Sequence, residues 1–107
     1  MPQDGNKKIT VKEAKALALK LLIKKEYTLA KNIYISILKK TQSNYSIYGN
    51  LSVIYAHEEK WHKVIECCNK AIQIKGDYYE GLVNLGIAFR MIGKINESIK
   101  TLKKALS

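Results

Sequence analysis

The chain has 107 residues, 47% apolar and 26% charged, with six Gly, one Pro and two Cys; that is one domain's length and too apolar for a disordered tail. The densest apolar stretch near the start, Leu17 to Ile23, carries Lys20, and the first eight residues lack a signal peptide's apolar segment, so neither a membrane span nor a leader fits. Adjacent Cys67 and Cys68 cannot form a long-range disulfide framework, which points to a reducing, cytoplasmic setting, while the net charge of +10 raises nucleic acid or anionic surfaces as partners.

In chain order, the helical spacing of apolar residues predicts helices near 10–24, 27–41, 45–58, 61–75, 78–92 and 95–106. Thr10 followed by Glu13 predicts a capping box at the first, and Asp77 followed by Glu80 repeats that logic at the fifth, with Gly76 suited to ending the helix before it. Lys24-Lys25-Glu26, Glu58-Glu59-Lys60 and Ile92-Gly93-Lys94 mark short turns between paired helices.

A shift of 34 residues brings like residues into columns. Leu17, Leu51 and Leu85 form one, followed by the small residues Ala18, Ser52 and Gly86. Leu21, Tyr55 and Phe89 form a large apolar column, as do Tyr27, Trp61 and Ile95. Ala30, Val64 and Ser98, then Tyr34, Cys68 and Leu102, then Ile37, Ala71 and Ala105 complete the pattern. The small column implies a close approach of two antiparallel helices, and the Leu, Tyr, Phe and Trp columns fill the seams between neighbouring repeats.

This helix–turn–helix period, with Ile74-Lys-Gly-Asp-Tyr-Tyr-Glu-Gly-Leu-Val-Asn-Leu-Gly86 at a repeat junction, resembles the tetratricopeptide-repeat family over residues 11–107. The family often has proline where Gly76 stands, and the first repeat is the weakest match. The resemblance implies an all-α, right-handed solenoid of about three repeats: a flexible tail over 1–10, then units at 11–44, 45–78 and 79–107. It further implies that the first helix of each unit lines a concave peptide groove, here with Lys12, Lys15 and Leu19 from unit one, Asn50, Val53 and His57 from unit two, and Asn84, Ile87 and Arg90 from unit three. Asn50 and Asn84 lie one repeat apart; their amides either grip a peptide backbone as a ladder or bond to their own neighbours. A carboxylate-gripping version of the groove is disfavoured, because Leu19, Glu80 and Asn84 stand where polar or basic groups would be wanted and Glu80 repels a carboxylate.

No nucleophile–base constellation, phosphate loop or metal-ligand spacing is present, so no enzyme, cofactor or metal site is expected. Cys68 reads as a buried thiol, and Trp61 as a core anchor before a ligand stacker. Of the 19 basic residues 18 are lysines, the exception being Arg90; that disfavours nucleic-acid reading through arginine's planar fork. The expected function is therefore binding a protein or peptide. The alternatives are the targeting segment of a larger enzyme, of glycosyltransferase or sulfotransferase type, and electrostatic binding of RNA or DNA through the lysine-rich first unit.

The ends differ. Ile47 and Ile54, or Gly81 and Ala88, occupy backward-facing positions where unit one carries Glu13 and Lys20, so unit one reads as its own cap. Ile95, Ile99, Leu102 and Leu106 make an apolar seam on the last helix, expected to be covered by a longer chain or by a second copy in a homodimer.

Overall fold

The computed structural model describes residues 8–107. Six helices run α1 Val11–Ile23, α2 Tyr27–Leu38, α3 Tyr45–His57, α4 Trp61–Ile74, α5 Tyr79–Met91 and α6 Ile95–Leu106, with no strand among the described residues. Six helices were expected at these places, and each end lies within three residues of the predicted one. The chain divides into two compact units, one ending at Gln42 and holding the α1–α2 hairpin, the other Ser43–Ser107 and holding α3 to α6. Of the expected tail, residues 1–7 lie outside the described residues; Thr10 belongs to α1 as its N-cap.

Every first helix of a pair ends in the same way. Lys25, Glu59 and Gly93, one repeat apart, take left-handed backbone at φ 65°, 56° and 85°. The next amide then reaches back across the turn: Glu26 N donates to Leu21 O at 2.8 Å, Lys60 N to Tyr55 O at 2.9 Å, and Lys94 N to Phe89 O at 2.8 Å. The left-handed residue itself donates to Leu22 O, Ala56 O or Arg90 O. These paired bonds are the Schellman arrangement, which satisfies carbonyls left over at a helix end and reverses the chain.

Helix starts are less uniform. Thr10 and Glu13 form the expected capping box, with bonds of 2.8 and 3.0 Å. At α5 the expected box is absent: Tyr78 is the N-cap and makes no side-chain cap, and Asp77 instead pairs with Lys75 at 3.2 Å. Gly76 has no left-handed backbone either; α4 ends at Lys75 in an extended conformation, so the junction does not need glycine's freedom. Asn44 caps α3 through Oδ1, which accepts from the Ser46 and Ile47 amides.

The repeat columns become the core. Ala18, Ser52 and Gly86 are all buried, as are Ala30, Val64 and Ser98. In the second unit Val64, Cys68, Leu85 and Ala88 form a buried cluster, with Tyr55, Trp61 and Phe89 packed against it, so the large columns do fill the seam between α3–α4 and α5–α6. Gly86 is small because Leu102 lies on it: a Cβ there would stand 2.6 Å from two Leu102 side-chain carbons. The Ser98 hydroxyl donates to Gly86 O at 2.7 Å and the Ser52 hydroxyl to Gly49 O at 2.6 Å, so both buried serines are satisfied. The first repeat departs from its column: Leu17 is 44% exposed, whereas Leu51 and Leu85 are buried.

Left-handed backbone costs a side-chain-bearing residue about 1–2 kcal/mol, against about 0.5–1 kcal/mol of extra chain entropy that glycine loses on folding. Lys25→Gly and Glu59→Gly are thus expected each to raise stability by roughly 0.5–1 kcal/mol. Gly93→Ala is expected to lower it by about 1 kcal/mol; thermal melts followed by circular dichroism read both signs.

Both cysteines are unbridged and buried. Burial, reinforced by Cys68 and Glu66, pushes the Cys67 thiol up to about 12; burial pushes Cys68 up to about 11, partly offset by a hydrogen bond with the Ser52 side chain. A raised thiol keeps its proton when folded and loses it sooner when unfolded, so its contribution is intact below pH about 9 and is lost as pH climbs through about 11 to 12. The folded chain is expected to react slowly with a thiol-specific disulfide reagent at pH 8 and to release both thiols at once in denaturant. Its melting temperature is expected to fall above pH 9, and less steeply in a Cys67→Ala, Cys68→Ala variant.

Candidate functional site

The second unit holds a groove between α3 and α5, the first helices of repeats two and three. Residues from the N-terminal halves of both helices line one cavity, and residues nearer both C-termini line another, so the two helices run side by side in the same direction. The first cavity, about 380 Å³, is walled by Gly49, Asn50 and Val53 on α3 and by Tyr79, Glu80, Val83 and Asn84 on α5, with Tyr78 beside them. The second, about 230 Å³, is walled by Val53, Ala56 and His57, by Trp61 and Val64 of α4, and by Asn84 and Ile87. Val53 and Asn84 belong to both.

Tyr78 sets the floor of the first cavity. A Cβ at Gly49 would collide with the Tyr78 hydroxyl, and one at Gly81 would lie 2.7 Å from Tyr78 Cδ2, so two glycines on successive repeats leave room for one ring. Tyr45 meets that ring edge-on, with centroids 4.9 Å apart and planes at 66°. Lys75 Nζ lies 5.6 Å from the Tyr45 centroid and pairs with Asp77. Their hydrogen bond and charge attraction raise the lysine and lower the carboxyl from their ordinary values. Burial, with Glu80 and Tyr45 adding to it, pushes the Tyr78 hydroxyl up.

Asn84 is anchored. Its Nδ2 donates to Ser52 Oγ at 3.3 Å, across from α5 to α3. Of the two alternatives for the asparagines, Asn84 therefore bonds to a neighbour, and its carbonyl oxygen accepts no hydrogen bond among the described residues.

Of the residues expected in the groove, Asn50, Val53 and Asn84 meet at the first cavity and Val53, His57, Asn84 and Ile87 at the second. Arg90 is exposed on α5 and lines neither. Lys12 and Leu19 are exposed on α1 and Lys15 is half-buried there, all within the first unit. That unit has a cavity of its own, about 320 Å³, between Ile9, Val11 and Ala14 at the start of α1 and Ile33, Ile37 and Lys40 at the end of α2. Along the expected seam of α6, Ile95 and Ile99 are half-exposed and Leu106 is 82% exposed, but Leu102 is half-buried and turned onto Gly86.

Sequence reasoning missed Tyr78 and Tyr79 as groove residues and Ser52 as the anchor of Asn84. The signal for Tyr78 was Gly49, a glycine inside a helix where nothing in the helix itself requires one. Trp61 packs on the core cluster, as expected of a core anchor, and also walls the second cavity. Among the described residues no group of His, Cys, Asp and Glu is placed to hold a metal ion.

No protein-family model matches the chain. It is 27% identical over 103 residues to the small glutamine-rich tetratricopeptide repeat-containing protein 2 of Saccharomyces cerevisiae, a match covering 96% of this chain and 30% of that protein. The chain thus spans under a third of that relative's length. Among solved structures it is similar to the second TPR of Spaghetti (RPAP3) bound to the HSP90 peptide SRMEEVD, with a TM-score of 0.85 and 21% identity over 90% of this chain and 89% of that one. It is also similar to the TPR2B domain of yeast Sti1 in its pHsp70 complex, with a TM-score of 0.83 and 20% identity over 89% of this chain and 76% of that one. A 34-residue period, a repeated turn at Lys25, Glu59 and Gly93, and this structural likeness together make the chain a tetratricopeptide-repeat domain by fold.

Proposed function

We propose that the chain is a protein–protein interaction module that holds a peptide or protein segment in the groove between α3 and α5. The observation that carries this reading is the pair of adjoining cavities that share Val53 and Asn84. Together they form a track long enough for several extended residues, with apolar walls and a side-chain carbonyl at the middle. Two structurally similar domains support it, one bound to the HSP90 peptide and one in a pHsp70 complex. The chain acts by binding and not by catalysis, and its unbridged cysteines support a cytoplasmic setting; no helix among the described residues is long and apolar enough to cross a membrane. The repeats 11–44, 45–78 and 79–107 are its functional divisions. Neither the enzyme-segment reading nor the nucleic-acid reading has a comparable observation behind it.

Asn84→Ala is a poor probe of the groove, because it also removes the bond to Ser52. Val53→Arg is a better one: the side chain is half-buried, lines both cavities and makes no polar bond. On a peptide array, wild-type protein is expected to retain a subset of extended peptides and Val53→Arg to lose at least ten-fold in affinity for them, with the melting temperature nearly unchanged. Retention of no peptide by the wild type, or equal binding by the variant, would remove the proposal.

A second contact goes with this reading. The strip of Ile95, Ile99 and Leu106 supports pairing with another copy of the chain, since two-fold pairing closes on itself. Sedimentation velocity across a concentration series is expected to show a dimer that Ile99→Glu converts to monomer; a monomer at every concentration in the wild type would rule the pairing out.

A further inference from the structure

We infer that the groove selects an internal peptide segment carrying a basic side chain and a bulky apolar side chain two residues apart, the basic one at Glu80 and the apolar one at Trp61. The inference rests on the peptide-groove reading above and adds to it the chemistry of the ligand.

The charge argument starts from what is missing locally. The chain has 19 basic residues, yet no lysine or arginine lines either cavity between α3 and α5. The carboxylate of Glu80 is the anionic group of the first cavity, and no ion pair among the described residues neutralises it. The nearby cation, Lys75, pairs with Asp77 and lies over Tyr45, and its charge reaches Glu80 only as a lesser interaction without a salt bridge. Around Glu80 stand groups that present electron density: the Tyr78 and Tyr79 rings and the Asn84 carbonyl, whose amide nitrogen is turned in to Ser52. A ring face attracts a cation, and a carboxylate attracts it more strongly. The N-terminus of α5 carries about half a positive charge, which Glu80's full negative charge outweighs. Repulsion by the chain's net +10 acts from further off and is screened beyond about 8 Å at physiological salt.

The second cavity has the opposite character. Trp61, Val64, Ala56 and Ile87 give it an apolar wall, with His57 at the edge. Transfer of a large apolar side chain from water to such a wall is favourable by about 25 cal/mol per Å² of buried area.

The spacing follows from the helices. Between the two cavities the lining residues advance from around Asn50 to around Ala56 on α3, sharing Val53, and from around Val83 to Ile87 on α5, sharing Asn84. These advances, six residues on α3 and four on α5 at about 1.5 Å each, are roughly 9 and 6 Å. In an extended peptide, side chains on one face recur every roughly 6.6 Å, the distance between residues i and i+2. A basic-x-apolar triplet, in one direction or the other, therefore fills both cavities at once.

The test uses the whole 107-residue chain and fluorescence-anisotropy titrations with peptides blocked at both ends. The probes are Gly-Ser-Lys-Ala-Phe-Ser-Gly and its reverse, the same peptides with Glu for Lys, and a form with one extra Ala between Lys and Phe. Ser-Arg-Met-Glu-Glu-Val-Asp with a free carboxylate completes the set. The better Lys–Phe peptide is expected to bind at least ten-fold tighter than its Glu counterpart and several-fold tighter than the lengthened form. Glu80→Gln is expected to shrink the Lys-over-Glu preference to under three-fold while leaving the melting temperature in place. Equal binding of Lys and Glu peptides, tighter binding of the carboxylate-ended peptide, or an unchanged preference in Glu80→Gln would overturn the inference and leave the groove itself standing. If no peptide in the set binds and the array above is also blank, the groove reading falls and this inference with it.

Discussion

The constraint on which the rest depends is the reversal of the chain within three residues at the end of every first helix. A helix that must fold back at once needs a left-handed residue and two amides that reach across the turn, and Lys25, Glu59 and Gly93 supply the same geometry at the same repeat position. Once the reversal is fixed, each partner helix lies close against its first helix, which carries a small buried residue, Ala18, Ser52 or Gly86, at the same repeat position. The large side chains of the columns are then directed into the space that remains. Period, packing and groove all follow from one local backbone event used three times.

Much of this was legible in the sequence because it depends on residue size and spacing. The 34-residue columns located six helices and most of the core, since a small residue opposite a large one leaves the same mark in every repeat. The turns were located but their mechanism was not: only the third carries glycine, while Lys25 and Glu59 adopt the same backbone without the residue that announces it. The expected capping box at Asp77 failed for a related reason. A carboxylate next to a repeat junction has two competing donors, the first amides of α5 and the Lys75 ammonium, and the ammonium has it. Sequence spacing alone does not rank those two.

The candidate site was legible in part. Positions such as Val53, His57 and Ile87 were expected from the resemblance, which puts the lining on each first helix; Val53 and His57 lie four apart on α3, and Ile87 lies one repeat on from Val53. Tyr78 and Tyr79 were missed because they sit at the junction, outside the first helices from which a lining was expected. The ring of Tyr78 reaches α3 through a gap that two glycines create, and its contact with Gly49 joins positions 29 residues apart. The electrostatics show a similar division. Net charge describes the chain as strongly basic, yet the walls between α3 and α5 carry none of that charge, because the lysines are on faces that meet water.

The hydrogen bond from Asn84 to Ser52 carries a meaning beyond its modest strength. Apolar helix faces tolerate sliding: displaced by one turn, about 5.4 Å, α5 would still find leucine, isoleucine and valine on α3. The Ser52 hydroxyl donates within its own helix, to Gly49 O, in any such arrangement. What only one alignment provides is a partner for the Asn84 amide. A polar pair in an otherwise permissive apolar seam thus selects a single register between consecutive repeats, much as a lone polar pair does in a coiled coil. It acts beside the Tyr78 ring, which Gly49 and Gly81 admit in the same alignment, and keeps the two cavities that share Asn84 in line.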